Sequence, residues 1–172
     1  MNYALRSLGA RALSSGELRQ KLGRRAERPE DIGTVLAKLK DAGYLNDQRY
    51  AESYATARLD NQGHGRTRVL RDLRQRRVAP KLAEQAVDKT FAETDELQLI
   101  DAYLGRKFRG KDLPVWLSEE KNLASAFRRL RYAGFSSGNS IRVLKRYAAQ
   151  ADALEEMEDA DPPDEEGGIG AH

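Results

Sequence analysis

The 172-residue sequence predicts an all-α chain: three tandem three-helix repeats forming an elongated, curved array, with a disordered acidic C-terminal tail. Three observations lead there. No stretch of the body alternates apolar and polar residues with period two, so strands have no support. Apolar residues recur instead at i, i+3, i+4 and i+7, the spacing of one helix face. These stripes also return at a near-constant interval: Leu22 to Val35 is 13 residues, Leu73 to Val87 is 14, and Leu130 to Leu144 is 14. One such unit buries too little surface to stand alone, so neighbours must stack.

In the first repeat (1–45), Leu5, Leu8 and Ala12 share a face of the opening helix. Ser14 lies three residues before Glu17, the spacing of a capping box, and Leu18 and Leu22 follow. Pro29 suits a helix's first turn, where its missing N–H is no loss. Ile32, Val35, Leu36 and Leu39 make a full stripe, and Gly43 supplies a left-handed stop. In the second repeat (46–92), Asn46 or Asp47 caps a helix carrying Tyr50, Tyr54 and Ala57. Gly63-His64-Gly65 breaks that helix. Val69, Leu70 and Leu73 mark the next, and Pro80 opens a third with Leu82, Ala83, Ala86, Val87 and Phe91 inward. In the third (93–151), Thr94 caps a helix bearing Leu97, Ile100 and Leu104. A looser stretch from Gly105 to Ser118 holds the single Trp116. Leu123, Ala126, Phe127 and Leu130 form the next stripe, ended by Gly134, and Ser136 or Ser137 starts the last helix with Ile141, Leu144 and Ala148.

The formal net charge of +3 conceals an asymmetry. Residues 152–172 hold nine of the 27 acids and none of the 30 Lys and Arg, so 1–151 carries 30 − 18 = +12 and the tail −9. A like-charge block with Pro162-Pro163 and Gly167-Gly168 cannot bury enough apolar surface to order itself, so 159–172 is expected to be disordered. Tethered to a basic body, it either solubilises or competes with a partner at high effective concentration.

Several function classes lose their means. The chain has no cysteine, and its two histidines are His64 and the terminal His172, which leaves nothing for disulfides, thiol chemistry or a Cys/His metal site. No P-loop, H-E-x-x-H or G-x-S-x-G run occurs. No enzyme activity and no cofactor are expected. No apolar stretch is long enough for a membrane span. The first 15 residues hold Arg6 and Arg11 and no acid, a pattern shared by transit peptides, but an amphipathic first helix explains it more simply. The expected setting is the cytoplasm.

The run Gly43-Tyr44-Leu45-Asn46-Asp47-Gln48-Arg49-Tyr50-Ala51 resembles the signature of the RecX family, regulators of the bacterial recombinase RecA. Ser15-x-Glu17-Leu18-x-x-Lys21-Leu22 fits that family's first repeat, Gly65-x-x-Arg68-Val69-x-x-x-Leu73 with Val78 its second, and Gly134-Phe135-Ser136 with Ile141 and Leu144 its third. The likeness covers roughly residues 3–150 and leaves the tail out. Arg77 departs from it, standing where the family commonly has glycine, which leaves the turn there open. The resemblance implies a non-enzymatic regulator, and a monomer is expected. It would bind the RecA filament, with single-stranded DNA as a secondary partner, and chiefly inhibit RecA's recombinase, ATPase and coprotease activities. The alternative is a stand-alone helical protein that binds nucleic acid through its phosphates.

Within the signature, Gly43, Tyr44, Leu45, Asn46, Asp47, Arg49 and Tyr50 read as a rigid inter-repeat joint. Gly43 gives the turn, Tyr44 and Leu45 pack back onto the first repeat, and Arg49 reaches the preceding helix's carbonyl end or one of its acids. The candidate filament contacts are Arg68, Arg71, Arg74, Arg128, Arg129, Arg131 and Lys145, drawn from the densest cationic stretches, with Arg142 and Arg146 beside the last. With Val69, Leu70 and Leu73 buried, Arg68 and Arg71 are expected to point outward, Arg74 to lie on the flank, and Arg66 and Arg77 to lie nearer the core. A solvated charged face competes with this reading, but the preference for Arg over Lys suits phosphate or carboxylate contact.

Overall fold

The computed structural model describes residues 1–157, and among these every regular element is helical. The chain divides into two compact units, Met1–Thr94 and Asp95–His172.

The first unit contains α1 (Asn2–Ala10), α2 (Ser15–Gly23) and α3 (Asp31–Asp41) around one core, then α4 (Asp47–Gln62), α5 (Arg66–Gln75) and α6 (Pro80–Phe91) around another. Leu18, Ile32, Leu36, Leu39 and Leu45 fill the first core, and Ala4 of α1 is buried with them, so the opening helix is part of the fold. The expected capping box closes α2: the Glu17 N–H donates to Ser14 Oγ (3.0 Å) and the Ser14 N–H to the Glu17 carboxylate (3.1 Å). After α3, Gly43 takes φ +77°, and the Tyr44 N–H turns back to the Leu39 carbonyl at 2.9 Å.

In the second core, α4 packs along α6 through small residues: Ala51 and Ala55 face Ala83 and Ala86, all buried. Ala57, expected inward, is exposed, because the helix presents its alanine row and lets Tyr50 and Tyr54 flank it. Asn46 is the α4 cap, accepting from the Arg49 N–H at 2.8 Å. Gly63, left-handed at φ +58°, ends the helix.

The second unit contains α7 (Glu96–Lys107), α8 (Leu113–Leu117), α9 (Glu120–Tyr132), α10 (Ser137–Leu144) and a 3₁₀ helix, Ala149–Met157. Asp95, not Thr94, caps α7, accepting from the Leu97 N–H at 2.9 Å. The stretch expected to be loose contains α8, capped by Asp112, and Trp116 lies against Phe108 with centroids 4.5 Å apart. Phe135, Leu130, Leu123 and Leu144 are fully buried in its core.

The 3₁₀ helix corrects the boundary drawn at 152. Residues through Met157 are helical, and Ala151 and Leu154 are buried in the second unit's core. Side chains three apart eclipse in a 3₁₀ helix, so this pair suffices to anchor it. Residues 158–172, which include the segment expected to be disordered, lie outside the described residues.

Candidate interaction surface

The signature run makes contacts other than those its sequence reading expects. Asp47, offered as a cap for its own helix, instead accepts from the Ser15 N–H at 2.7 Å and so caps α2, 32 residues away. Ser14 Oγ donates to the Arg76 carbonyl. Gly16 lies so close to the turn after α5 that a Cβ on it would stand 2.4 Å from the Arg77 carbonyl oxygen. The start of α2 is thereby held against both α4 and the end of α5. Leu45 is buried as expected, but Tyr44 is 62% exposed, because the tight turn at Gly43 aims it outward, away from the core. Arg49 is also exposed.

Arg77 resolves the open turn: it adopts φ +58° despite its side chain. Its N–H bonds to the Arg74 carbonyl (2.9 Å) and the Val78 N–H to Leu73 (3.1 Å), the same pattern that Gly134 and Phe135 make in the second unit. Its guanidinium donates to the Gln20 side chain at 3.2 Å.

Beside this joint an open cleft of about 430 Å³ is lined by Arg11, Glu17, Tyr54, Arg58, His64, Arg68, Asp72, Gln75 and Arg76. Arg76, absent from the candidate contacts, is its hub. It donates to the Tyr50 hydroxyl (3.3 Å), lies 3.6 Å from the Glu17 carboxylate and stacks 4.7 Å over the Tyr54 ring. Arg58 covers the same ring at 4.8 Å. Burial opposes the Arg76 charge, but its contacts with Tyr54 and Tyr50 prevail and raise its pKa. Burial likewise raises that of the Tyr50 hydroxyl, with Glu17 adding to it and Arg76 opposing. The α4 half of this cluster was legible, since Tyr50, Tyr54 and Arg58 repeat every fourth residue on one face. Arg76 arrives from another helix with no local signal.

The cations on α5 are ordered opposite to expectation. The Arg68 side chain is only 21% exposed and pairs with Asp72 at 3.2 Å, and Arg71 is half-buried. Arg74 and Arg66 are exposed, paired with Glu84 (3.2 Å) and Asp88 respectively. The reason is α4: Tyr54 reaches Asp72 at 3.4 Å, so that helix covers the Arg68 side. In the second unit, Arg128 and Arg129 are exposed and make no ion pair among the described residues, whereas Arg131 donates to the Phe135 carbonyl (2.7 Å) and holds the α9–α10 turn. Lys145 pairs with Asp152 and, at 3.2 Å, with Glu155. Arg146 pairs with Asp101 at 2.7 Å. Glu96 of α7 accepts from the Ser136 N–H (2.8 Å) and Oγ (2.6 Å), capping α10 from 40 residues away.

Among the described residues, no group of three or more His, Cys, Asp or Glu is placed to hold a metal ion, and no helix is long and apolar enough to cross a membrane.

Comparison with known proteins meets this architecture repeat by repeat. Residues 1–39 match the description "RecX, first three-helix domain", and 46–87 match "RecX, second three-helix domain". The Regulatory protein RecX of Deinococcus radiodurans is 34% identical over 163 residues, 95% of this chain and 70% of that protein. That of Trichlorobacter lovleyi is 32% identical over 141 residues, 82% of this chain and 90% of its own length. The crystal structure of RecX from Lactobacillus salivarius superposes with a TM-score of 0.62 at 21% identity, over 85% of this chain and 92% of that one, and so shares the fold. With both three-helix domains matched in order and this identity sustained over nearly the whole chain, the protein belongs to the RecX family.

Proposed function

We propose that this protein regulates RecA by binding its filament on single-stranded DNA, chiefly inhibiting recombinase, ATPase and coprotease activities. It acts by occupying a surface and not by turnover. The observation that carries the reading is family membership, since the relatives are named regulatory proteins and one of them is matched along 95% of this chain. The charge supports it: a body of 30 bases against 18 acids favours a polyanionic or acidic target. Arg74, Arg128, Arg129 and Lys145 are the exposed candidates for that contact, with DNA engaged through its phosphates and hence weakened by salt.

The test is RecA ATPase on single-stranded DNA at increasing concentrations of this protein. Dose-dependent inhibition is expected. Undiminished turnover, together with tight binding to free DNA, would leave the alternative of a stand-alone nucleic-acid-binding protein.

A further inference from the structure

The first residues of the acidic C-terminal stretch are not loose. In the 3₁₀ helix Ala149–Met157, Ala151 and Leu154 point into the second unit's core, while Asp152 and Glu155, also three apart, sit on the other side. Both carboxylates fall on Lys145. Lys145 belongs to one face of α10, with Gly138, Ile141 and Arg142, at the i, i+3, i+4, i+7 spacing. With Glu155 these residues line a hollow of about 240 Å³. Gly138 lies on its border, where a Cβ would meet nothing within 4 Å.

We propose that this α10 face is a phosphate-binding site for single-stranded DNA, and that the 3₁₀ helix is its built-in competitor. The two carboxylates hold Lys145 as a phosphodiester would, and an incoming strand must displace them. The strap is suited to yield. Runs of 3₁₀ geometry longer than three or four residues are uncommon because their hydrogen bonds are poor, so this one leans on buried side chains such as Ala151 and Leu154. Asp152 and Glu155 are themselves mostly exposed, at 70% and 62%, so displacing them abandons no buried charge. The raised pKa of Lys145, caused first by Asp152 and then by Glu155, agrees with that contact. The choice of single-stranded DNA as the displaced polyanion rests on the function proposed above.

The test uses the full chain and a fluorescein-labelled oligodeoxythymidylate, followed by anisotropy across a salt series. Asp152→Asn with Glu155→Gln is expected to tighten binding roughly threefold or more at low salt, with the gain fading as salt screens exposed charges. The dependence of log K on log salt should steepen by roughly 0.7, one phosphate contact, as Lys145 is released. Leu154→Ala, which frees the strap by removing its anchor, should act in the same direction. Lys145→Gln should abolish the gain in the double variant. Unchanged DNA affinity in Asp152→Asn/Glu155→Gln, or no DNA binding by any variant, overturns the proposal. Tighter binding to the RecA filament without tighter binding to the oligonucleotide overturns it too, by making the displaced partner a protein. RecA ATPase inhibition, read in parallel, separates the two ideas: inhibition by the parent with no change in DNA affinity among the variants rejects the strap and keeps the regulator.

Discussion

Substituting Gly16 by alanine tests the joint between the first two helical repeats. The new methyl would stand 2.4 Å from the Arg77 carbonyl oxygen and 2.5 Å from its Cβ, where ordinary contact begins at 3.4 Å. One partner must therefore move by about 1 Å, and the obstacle is backbone, not the tip of a flexible side chain. That backbone has little freedom: Arg77 already sits at φ +58°, its neighbour Arg76 accepts from Ser14 Oγ, and Val78 is buried. Overpacking of this kind costs about 1–3 kcal/mol. Alanine's better helix propensity returns ~0.5–1 kcal/mol, and less in a first turn. The net expectation is a loss of about 1–2 kcal/mol, which lowers the melting temperature of a unit this size by roughly 5–10 °C. Gly33→Ala in α3 is the control, because nothing lies within 4 Å of its added methyl. That substitution should stabilise by about 0.5–1 kcal/mol. Differential scanning calorimetry of both variants and the parent decides. If Gly16→Ala melts at or above the parent temperature, as Gly33→Ala should, then α2 does not rest on the Arg77 turn and the account of the joint fails.

Arg77→Gly should stabilise the first unit by about 1 kcal/mol, by removing a side chain from a left-handed residue at the expense of one exposed bond to Gln20, measured as a shifted urea midpoint. Asp47→Ala should destabilise the same unit by about 1 kcal/mol through the lost cap on Ser15, with Asp47→Asn recovering much of it. For Lys145 the folded pKa is raised, so the stability it contributes through Asp152 and Glu155 is present below its unfolded value near 10.4 and is lost as pH rises through the folded one. The difference in urea stability between the parent and Lys145→Gln should therefore vanish at strongly alkaline pH, and persistence of the difference there would reject the ion-pair origin.

How far the sequence reveals this molecule depends on how far apart the partners lie. Ser14 with Glu17 and Asn46 with Arg49 close within three residues, so the spacing alone identifies both caps. Asp47 on Ser15 and Glu96 on Ser136 cap just as effectively, but across 32 and 40 residues, and no local pattern distinguishes an acid serving its own helix from one serving another. A helical wheel drawn from Val69 and Leu73 points Arg68 to solvent because it includes one contact face only. Tyr54 and Asp72 show that α4 supplies a second. The 3₁₀ helix escaped for a different reason. Its buried pair, Ala151 and Leu154, straddles the edge of a run read as acidic, and the period of three is not the period sought. The helical stripes were legible because each returns its apolar signal at three- or four-residue steps along one helix.

These placements also bear on which of the candidate charges are available to a partner. The arginine-densest stretch, on α5, is the best neutralised: Arg66, Arg68 and Arg74 each face an acid of the same unit, and Arg76 is enclosed by Glu17 and two tyrosines. Density along the chain is thus a poor guide to available charge, since a paired guanidinium exerts little field on a distant anion. Arg128 and Arg129 lie in a sparser stretch, yet are exposed and without an ion pair among the described residues. The double variant Arg128→Glu/Arg129→Glu should therefore reduce inhibition of RecA ATPase more than Arg74→Glu does, while shifting stability by no more than about 0.5 kcal/mol per site. Arg68→Glu is the contrasting case. It sets two carboxylates together in a half-buried position, and its expected loss of ~1–3 kcal/mol comes from the fold and not from the interface. Full inhibition by Arg128→Glu/Arg129→Glu beside loss of inhibition by a stably folded Arg74→Glu would place the contact on α5 and refute the argument from pairing.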